Sequence, residues 1–305
     1  MKRKLLGLIL FGLSVLPAPL YAAAGIGVSP GIKEITLAEN ESRTSFEVTV
    51  SNTTESPIDF RLSTIDFGAL DESGGIAFLG RSGQEAYAYS LSEWMELDKT
   101  ELTVTPNSSE AVKVTIQNND ALRPGGHYGA VLVTSRQDGQ LSSESVATLP
   151  GASTLVLLKK TGGETYDLTL DNVKTNTSLL RVPNSAELRF ENTGNVHVVP
   201  RGTIQLKSPF GKTIAQGTIN EASSFVLPGS KRVISVPLRF SSQPWLPGRY
   251  TQEISWRHDG QESFETTITH HWYLGRIGVG ILIILSLVIV LYLYIIYKKR
   301  PVTRN

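Results

Sequence analysis

The feature that most constrains this fold is an alternation of apolar and polar residues that recurs from residue 25 to residue 275. It is clear in Phe46–Val50, in Val112–Ile116 and in Ala186–Phe190. A period of two is typical of β-strands that bury one face. Glycine, proline and asparagine interrupt these segments at short intervals. Many short strands with frequent turns predict a sandwich or a barrel rather than alternating strands and helices.

The alternating pattern occurs twice along the chain. Phe46–Asn52, which ends in a turn, resembles Leu188–Asn192, which also ends in a turn. Pro124-Gly-Gly-His-Tyr128 resembles Pro247-Gly-Arg-Tyr250, and each follows an earlier proline turn at a nearly equal distance. We therefore predict an all-β fold with two tandem immunoglobulin-like β-sandwich domains. The polar segment Lys159–Gly163 places their boundary, which gives domain one residues 25–160 and domain two residues 161–274.

The first apolar run has the organisation of a secretory signal peptide. Lys2, Arg3 and Lys4 precede Leu5–Leu16, and small residues follow at 22–24. This order of basic, apolar and small residues is typical of an export signal, and the run is too short to cross a bilayer. We predict that residues 1–24 are a signal peptide.

The second apolar run, Ile277–Tyr297, predicts a transmembrane helix over residues 275–297. It contains no charged residue and has the length that a bilayer requires. The basic residues of the tail, 298–305, place that tail in the cytoplasm by the positive-inside rule. We therefore expect a single-pass protein of the cell membrane with an extracytoplasmic ectodomain and a cytoplasmic C-terminus.

Composition and motifs argue against several functional classes. The net charge is +1 and no segment combines basic residues with aromatic ones, so we expect no nucleic-acid partner. The chain has no cysteine, which excludes thiol catalysis and cysteine-ligated metals. Its five histidines lack the spacing of known metal motifs, and no nucleophile-elbow motif occurs. We therefore predict no cofactor, no metal site and no catalytic residue, and we expect that the protein is not an enzyme.

Domain one has an insertion that domain two lacks, at about residues 65–100. It is rich in glycine, and binding sites often lie on loops that a rigid scaffold positions. An alternative is a solvated excursion in which Trp94 fills the edge of the core. The insertion also contains Asp66, Asp71 and Glu72, so another alternative is an envelope hydrolase or accessory enzyme whose carboxylates converge in a cleft.

Several motifs of domain one resemble a known family. They are Val28-Ser-Pro30, Ser45–Asn52, Trp94 and, above all, Pro124-Gly-Gly-His-Tyr-Gly-Ala130. Together they resemble the N-terminal domain of the WxL-interacting protein family of bacterial cell-surface proteins. The resemblance implies immunoglobulin-like domains, a C-terminal membrane anchor, and binding to WxL-domain proteins or to peptidoglycan.

We therefore expect a bacterial cell-surface binding or scaffold protein that recognises another surface protein, of the WxL-domain type or otherwise, or the envelope polymer peptidoglycan. A passive structural spacer is a further alternative. We expect domain one to carry the contact surface. The candidate partner-binding residues are Asp71, Gly74, Gly75, Phe78, Trp94, His127 and Tyr128.

Overall fold

The computed structural model describes residues 25–80, 88–136 and 151–299. The predicted signal peptide lies outside the described residues, as do Gly83 of the insertion and most of the basic tail. Within the described part, the chain forms eighteen β-strands, a short 3₁₀ helix and one long α-helix. The predicted all-β fold with one C-terminal helix is confirmed.

The first ten strands form two facing sheets. One sheet has the order β1-β3-β8-β6, and the other has the order β2-β10-β9-β4-β5, with β7 also paired to β4. All pairs are antiparallel except β2 with β10. The strands are β1 (Ile26–Ser29), β2 (Ile32–Leu37), β3 (Arg43–Asn52), β4 (Ile58–Ala69), β5 (Ile76–Gly80), β6 (Met95–Leu97), β7 (Glu101–Val104), β8 (Ser108–Gln117), β9 (Gly125–Arg136) and β10 (Gly151–Lys160), and the 3₁₀ helix Ser92–Trp94 precedes β6.

The core of the first sandwich lies between these two sheets. The alternating residues predicted from the sequence face inward, including Val48 and Val50 of β3 and Val112 and Val114 of β8. They meet the inward side chains of the larger sheet, such as Phe60. Strand alternation thus explains which face of each strand is buried within this sandwich.

The remaining strands form a second pair of sheets. One has the order β11-β12-β15 and the other β16-β14-β13-β17-β18. Trp256 is buried in their shared core, with its ring centroid 5.0 Å from that of Phe190. The strands are β11 (Leu168–Thr175), β12 (Ser185–Asn192), β13 (Arg201–Lys207), β14 (Thr213–Ile219), β15 (Lys231–Pro237), β16 (Arg239–Phe240), β17 (Gly248–Arg257) and β18 (Glu265–Tyr273).

The internal repeat is visible in two buried asparagines. Asn52 ends β3 and Asn192 ends β12, and both are fully buried. Each donates its side-chain amide to backbone carbonyls, of Ser56 and Val104 for Asn52, and of Val196 and Val226 for Asn192. Each Oδ1 also accepts the backbone N–H two residues further on, at 2.9 Å. The same side chain therefore holds the same turn in both sandwiches.

The chain continues from β18 into α1 (Gly275–Lys298) with a single intervening residue. This helix has 24 residues and is long and apolar enough to cross a membrane. Its apolar side chains are exposed along most of its length. In water such a surface would be unfavourable, whereas lipid tails would solvate it.

Candidate functional site

The insertion begins as a hairpin at the edge of the larger sheet of domain one. Strand β4 pairs with β9 along its first part and with β5 at its end. A bulge between Asp66 and Phe67 shifts the register of the β4–β5 pair. The hairpin turn, residues 70–75, extends out from the first sandwich towards the second.

The hairpin turn contacts the second sandwich. The carbonyl oxygen of Glu72 accepts the backbone N–H of Val233 at 2.7 Å. Its carboxylate pairs with both sides of the Arg189 guanidinium, with 2.8 Å between Nε and Oε2. Arg189 in turn donates to Asp171 at 2.7 Å. A backbone bond and a bidentate ion pair therefore fix the turn to β15 and β12.

Asp71 and Gly74 determine the backbone conformation of the hairpin turn. Asp71 Oδ1 accepts the N–H and the hydroxyl of Ser73, at 2.8 and 2.6 Å, and these bonds lower the pKa of the carboxyl group. Gly74 has φ of 94°. A Cβ at Gly74 would lie 2.2 Å from the Arg232 guanidinium, so a larger residue would both strain the backbone and displace that side chain. Asp71 and Gly74 thus shape the contact between the domains.

The hydrogen bond from Arg189 lowers the pKa of the Glu72 carboxyl group. The same pairing, with that of Asp171, raises the pKa of Arg189. The pairing thus favours the charged form of both side chains. The ion pair is partly exposed to water, so its main effect is to orient the hairpin rather than to stabilise the fold.

Strand β5 presents apolar side chains to solvent. The exposed fraction is 36% for Ile76, 47% for Phe78 and 48% for Leu79, and Leu70 of the turn is also exposed. Within the part of the chain that the structure describes, β5 pairs with β4 alone. An edge strand offers backbone groups that another chain can pair with. We call Leu70, Ile76, Phe78 and Leu79 the β5 edge.

The other predicted site residues lie apart from the β5 edge. Trp94 is half-buried and packs on the core, with its ring centroid 6.1 Å from that of His127. The ring nitrogens of His127 each lie 2.8 Å from a backbone carbonyl oxygen, of Ser90 and of Arg123. Tyr128 is fully buried. The structure therefore places His127 and Tyr128 inside the protein, where an external partner cannot touch them.

Tyr128 belongs to a buried cluster between the two sandwiches. Phe67, Tyr128 and Leu157 of the larger sheet form one buried apolar cluster with Leu227 of domain two. The Tyr128 hydroxyl lies 3.3 Å from Nδ1 of His197. Because the second domain covers this part of the sheet, both faces of the sheet are buried there.

His197 is a buried titratable group that the sequence interpretation assigned to a turn or strand and did not include among the candidate site residues. Its side chain is only 11% exposed. Burial, and secondarily the positive charge of Lys159, lower its pKa to about 4. The carboxylate of Glu34 lies 4.0 Å away but is mostly in solvent, so it offsets this effect little. A clue was present in the four consecutive apolar residues Leu155–Leu158, since such a run is typical of a strand buried on both faces.

The three carboxylates of the enzyme alternative do not share a cleft. Asp66 is buried and accepts hydrogen bonds from Ser90 Oγ, Leu91 N and Ser92 N, at 2.8, 2.9 and 2.7 Å. It therefore holds the start of the 3₁₀ helix. Asp71 caps its own turn, and Glu72 pairs with domain two. Each carboxylate has a separate structural partner.

Comparison with known proteins gives similarity of structure only. No family model matches the sequence, and no curated protein matches it. A structure of a chaperone–tip adhesin complex of CFA/I fimbriae biogenesis aligns with TM-score 0.44 and 12% identity, over 81% of this chain and 99% of the other. The class 5 fimbriae chaperone CfaA aligns with TM-score 0.42 and 11% identity, over 81% and 98%. The Salmonella enterica SafA pilin in complex with the SafB chaperone gives TM-score 0.37 and 11% identity, over 82% and 97%.

Proposed function

We propose that this chain is a membrane-anchored, non-enzymatic binding protein of the cell surface, and that domain one recognises another envelope protein through the β5 edge. The observation that carries the proposal is the exposure of Ile76, Phe78 and Leu79 on one edge strand. Apolar side chains at a sheet edge suit an extended protein segment, which adds a strand and fills the spaces between them. Peptidoglycan, which is polar, suits this surface less well.

The geometry of the insertion supports this proposal. The Glu72–Arg189 pair and the Glu72–Val233 bond hold the hairpin turn, so β5 is positioned before a partner arrives. Preorganisation of a binding strand lowers the entropy that association costs. Glycine at position 75 also lets the chain pass closely over the Leu70 side chain into β5.

The membrane anchor belongs to the same proposal. The helix Gly275–Lys298 spans the membrane, with the sandwiches outside and Lys298 and Lys299 at the cytoplasmic end. A WxL-domain protein is one partner that the family resemblance suggests. Any partner of this class would present an apolar, extended segment to domain one.

Site-directed photo-crosslinking in cells that make the full chain tests this proposal. Benzoylphenylalanine replaces Phe78 or Leu79, and in a control it replaces Glu47, which is exposed on the opposite sheet of the same sandwich. We expect one discrete protein adduct from each β5 position and none from the control. The adduct at Leu79 should disappear when Ile76→Asp is added. Equal adducts at all three positions, or adducts to glycan alone, would contradict the proposal.

A further inference from the structure

The membrane-proximal end of domain two carries a second exposed apolar surface. Its members are the side chains of Leu179, Leu180, Phe210, Trp245 and Trp272, with exposed fractions from 56% for Leu179 to 83% for Phe210. They come from four separate segments of the chain. We call them the apolar collar, because the contacts below place them around the start of α1.

The turn between β11 and β12 contacts the start of the helix directly. The carbonyl oxygen of Leu179 accepts the backbone N–H of Leu274 at 2.7 Å and that of Gly275 at 3.3 Å. Leu180, the next residue, is exposed beside it. The first part of the collar is therefore attached to the first residues of α1.

Two further loops reach the same end. The Tyr273 hydroxyl donates to the carbonyl oxygen of Pro244, which precedes Trp245. Pro247 packs against Gly278 in the first turn of the helix.

The turn that carries Phe210 lies at the same end of domain two. It follows β13, whose last residue pairs with Thr251 of β17. Pro209, the residue before Phe210, lies against Gly248 at the start of β17. Trp272 pairs with Arg249 beside them.

The charges at this end have one sign. The segments 176–184, 208–212, 241–249 and 272–278 contain no aspartate or glutamate. They contain four basic residues, all exposed: Arg181, Lys212, Arg249 and Arg276. Exposed tryptophans with arginine and lysine beside them are the side chains that membrane proteins place at the level of lipid headgroups.

The length of α1 brings the collar to the headgroup level. Its 24 residues extend about 36 Å, against a hydrocarbon thickness of about 30 Å. The excess is about one helical turn, and the charge of Arg276 favours placing the first turn, Gly275–Gly278, outside the hydrocarbon. Only Leu274 separates β18 from the helix, so domain two cannot stand away from the bilayer on a flexible link.

We propose that the apolar collar inserts into the headgroup region of the membrane that α1 crosses, and that the basic residues around it contact anionic headgroups. Domain two then rests on the membrane surface, and this contact fixes the orientation of the whole ectodomain. This inference rests on the proposed membrane anchoring.

Because the chain has no cysteine, single spin labels can measure the depth of each position. The full chain is reconstituted into vesicles of phosphatidylcholine and phosphatidylglycerol, with a nitroxide on Leu180→Cys, Phe210→Cys or Trp245→Cys. Glu262→Cys, exposed beyond the opposite end of β17, is the aqueous control, and Leu287→Cys reports on the helix. Accessibility to oxygen and to a water-soluble nickel chelate is measured by power-saturation EPR.

We expect the three collar labels to be several-fold less accessible to nickel than the label at Glu262, and the label at Leu287 to be the deepest. If Leu287 is deep while the collar labels match Glu262, the collar proposal is overturned and the anchor stands. If Leu287 is as accessible to nickel as Glu262, the anchoring fails and the collar proposal fails with it.

Discussion

Single buried polar side chains determine the shape of the turns in both sandwiches. Asn52 and Asn192 repeat the same set of hydrogen bonds at the ends of β3 and β12. Asp66 likewise accepts the backbone N–H groups of Leu91 and Ser92 and so fixes the start of the 3₁₀ helix. Burial of a polar group costs free energy unless its hydrogen bonds are satisfied, so each of these residues favours one local conformation.

We predict that Asn192→Ala lowers the free energy of unfolding by about 2–4 kcal/mol. The substitution removes the hydrogen bonds of the buried side chain to the carbonyls of Val196 and Val226 and from the N–H of Gly194. The Val226 carbonyl and the Gly194 N–H each keep one backbone hydrogen bond. Urea denaturation of the full chain in nanodiscs, followed by tryptophan fluorescence, measures the loss. Asn40→Ala, at an exposed turn of domain one, is the control and should change the unfolding free energy by less than about 0.5 kcal/mol. Equal effects of the two substitutions would show that the buried amide is dispensable.

His197 predicts a dependence of stability on pH. Its pKa is about 4 in the folded protein, below the usual 6.5, so the unfolded chain binds a proton between these values that the folded chain does not. The contribution to stability is complete above pH 6.5 and is lost as the pH falls towards 4, by about 3 kcal/mol.

The measurement is the unfolding free energy of wild type and His197→Gln near neutral pH and near pH 4. The variant should lose distinctly less stability between the two. Thr266→Ala, at an exposed position of β18 that carries no titratable group, should lose as much as wild type. A His197→Gln variant with an unchanged pH slope would contradict the buried, neutral state of this histidine.

At the level of elements, the β4–β5 hairpin is the part of domain one that leaves its own sandwich. Glu72 holds the turn of this hairpin against Arg189 of domain two. Strand β5 itself has few buried side chains. Segments with few buried contacts open most readily, so the turn contact determines how well β5 is ordered.

We predict that Glu72→Ala loosens this hairpin without unfolding the protein. The ion pair with Arg189 is partly exposed and screened by water, so its loss should change the free energy of unfolding little. Hydrogen exchange at the Val233 amide, which donates to Glu72, should become faster, as should exchange in β5. Glu187→Ala, which removes an exposed ion pair with Lys174 inside domain two, should leave these amides unchanged. Unaltered exchange in the Glu72 variant would mean that the turn contact does not order β5.

The strands within each sandwich could be predicted because apolar and polar residues alternate along a strand that buries one face. Phe46, Val48 and Val50 are all buried, as their spacing indicates. The contact between the sandwiches could not be predicted, because the alternation of apolar and polar residues does not show what covers the outer face of a sheet. Tyr128 and His127 were assigned to a binding surface for this reason. The exposed edge at Phe78 was predicted only as part of a glycine-rich insertion, since exposure depends on which strands pair with β5.

At the scale of the whole molecule, the two sandwiches, their shared contact and the helix form a continuous assembly. The cluster around Tyr128 and Leu227 joins domain one to domain two. The bonds at Leu179 join domain two to the helix. A surface on β5 is thus held at a defined position relative to α1. This organisation is compatible with the proposed role, in which the β5 edge is presented to a partner protein.

The most direct test of this account is quantitative purification of the full chain, with whatever it binds, from its own membranes. Wild type is compared with the double substitution Ile76→Asp and Phe78→Asp, and with Thr218→Asp, an exposed position on β14 of domain two. We predict that one envelope protein accompanies wild type and the Thr218 variant in similar amounts, and is lost from the double variant while its fold, by circular dichroism, is unchanged. Recovery of the same proteins with all three chains would contradict a binding role for the β5 edge.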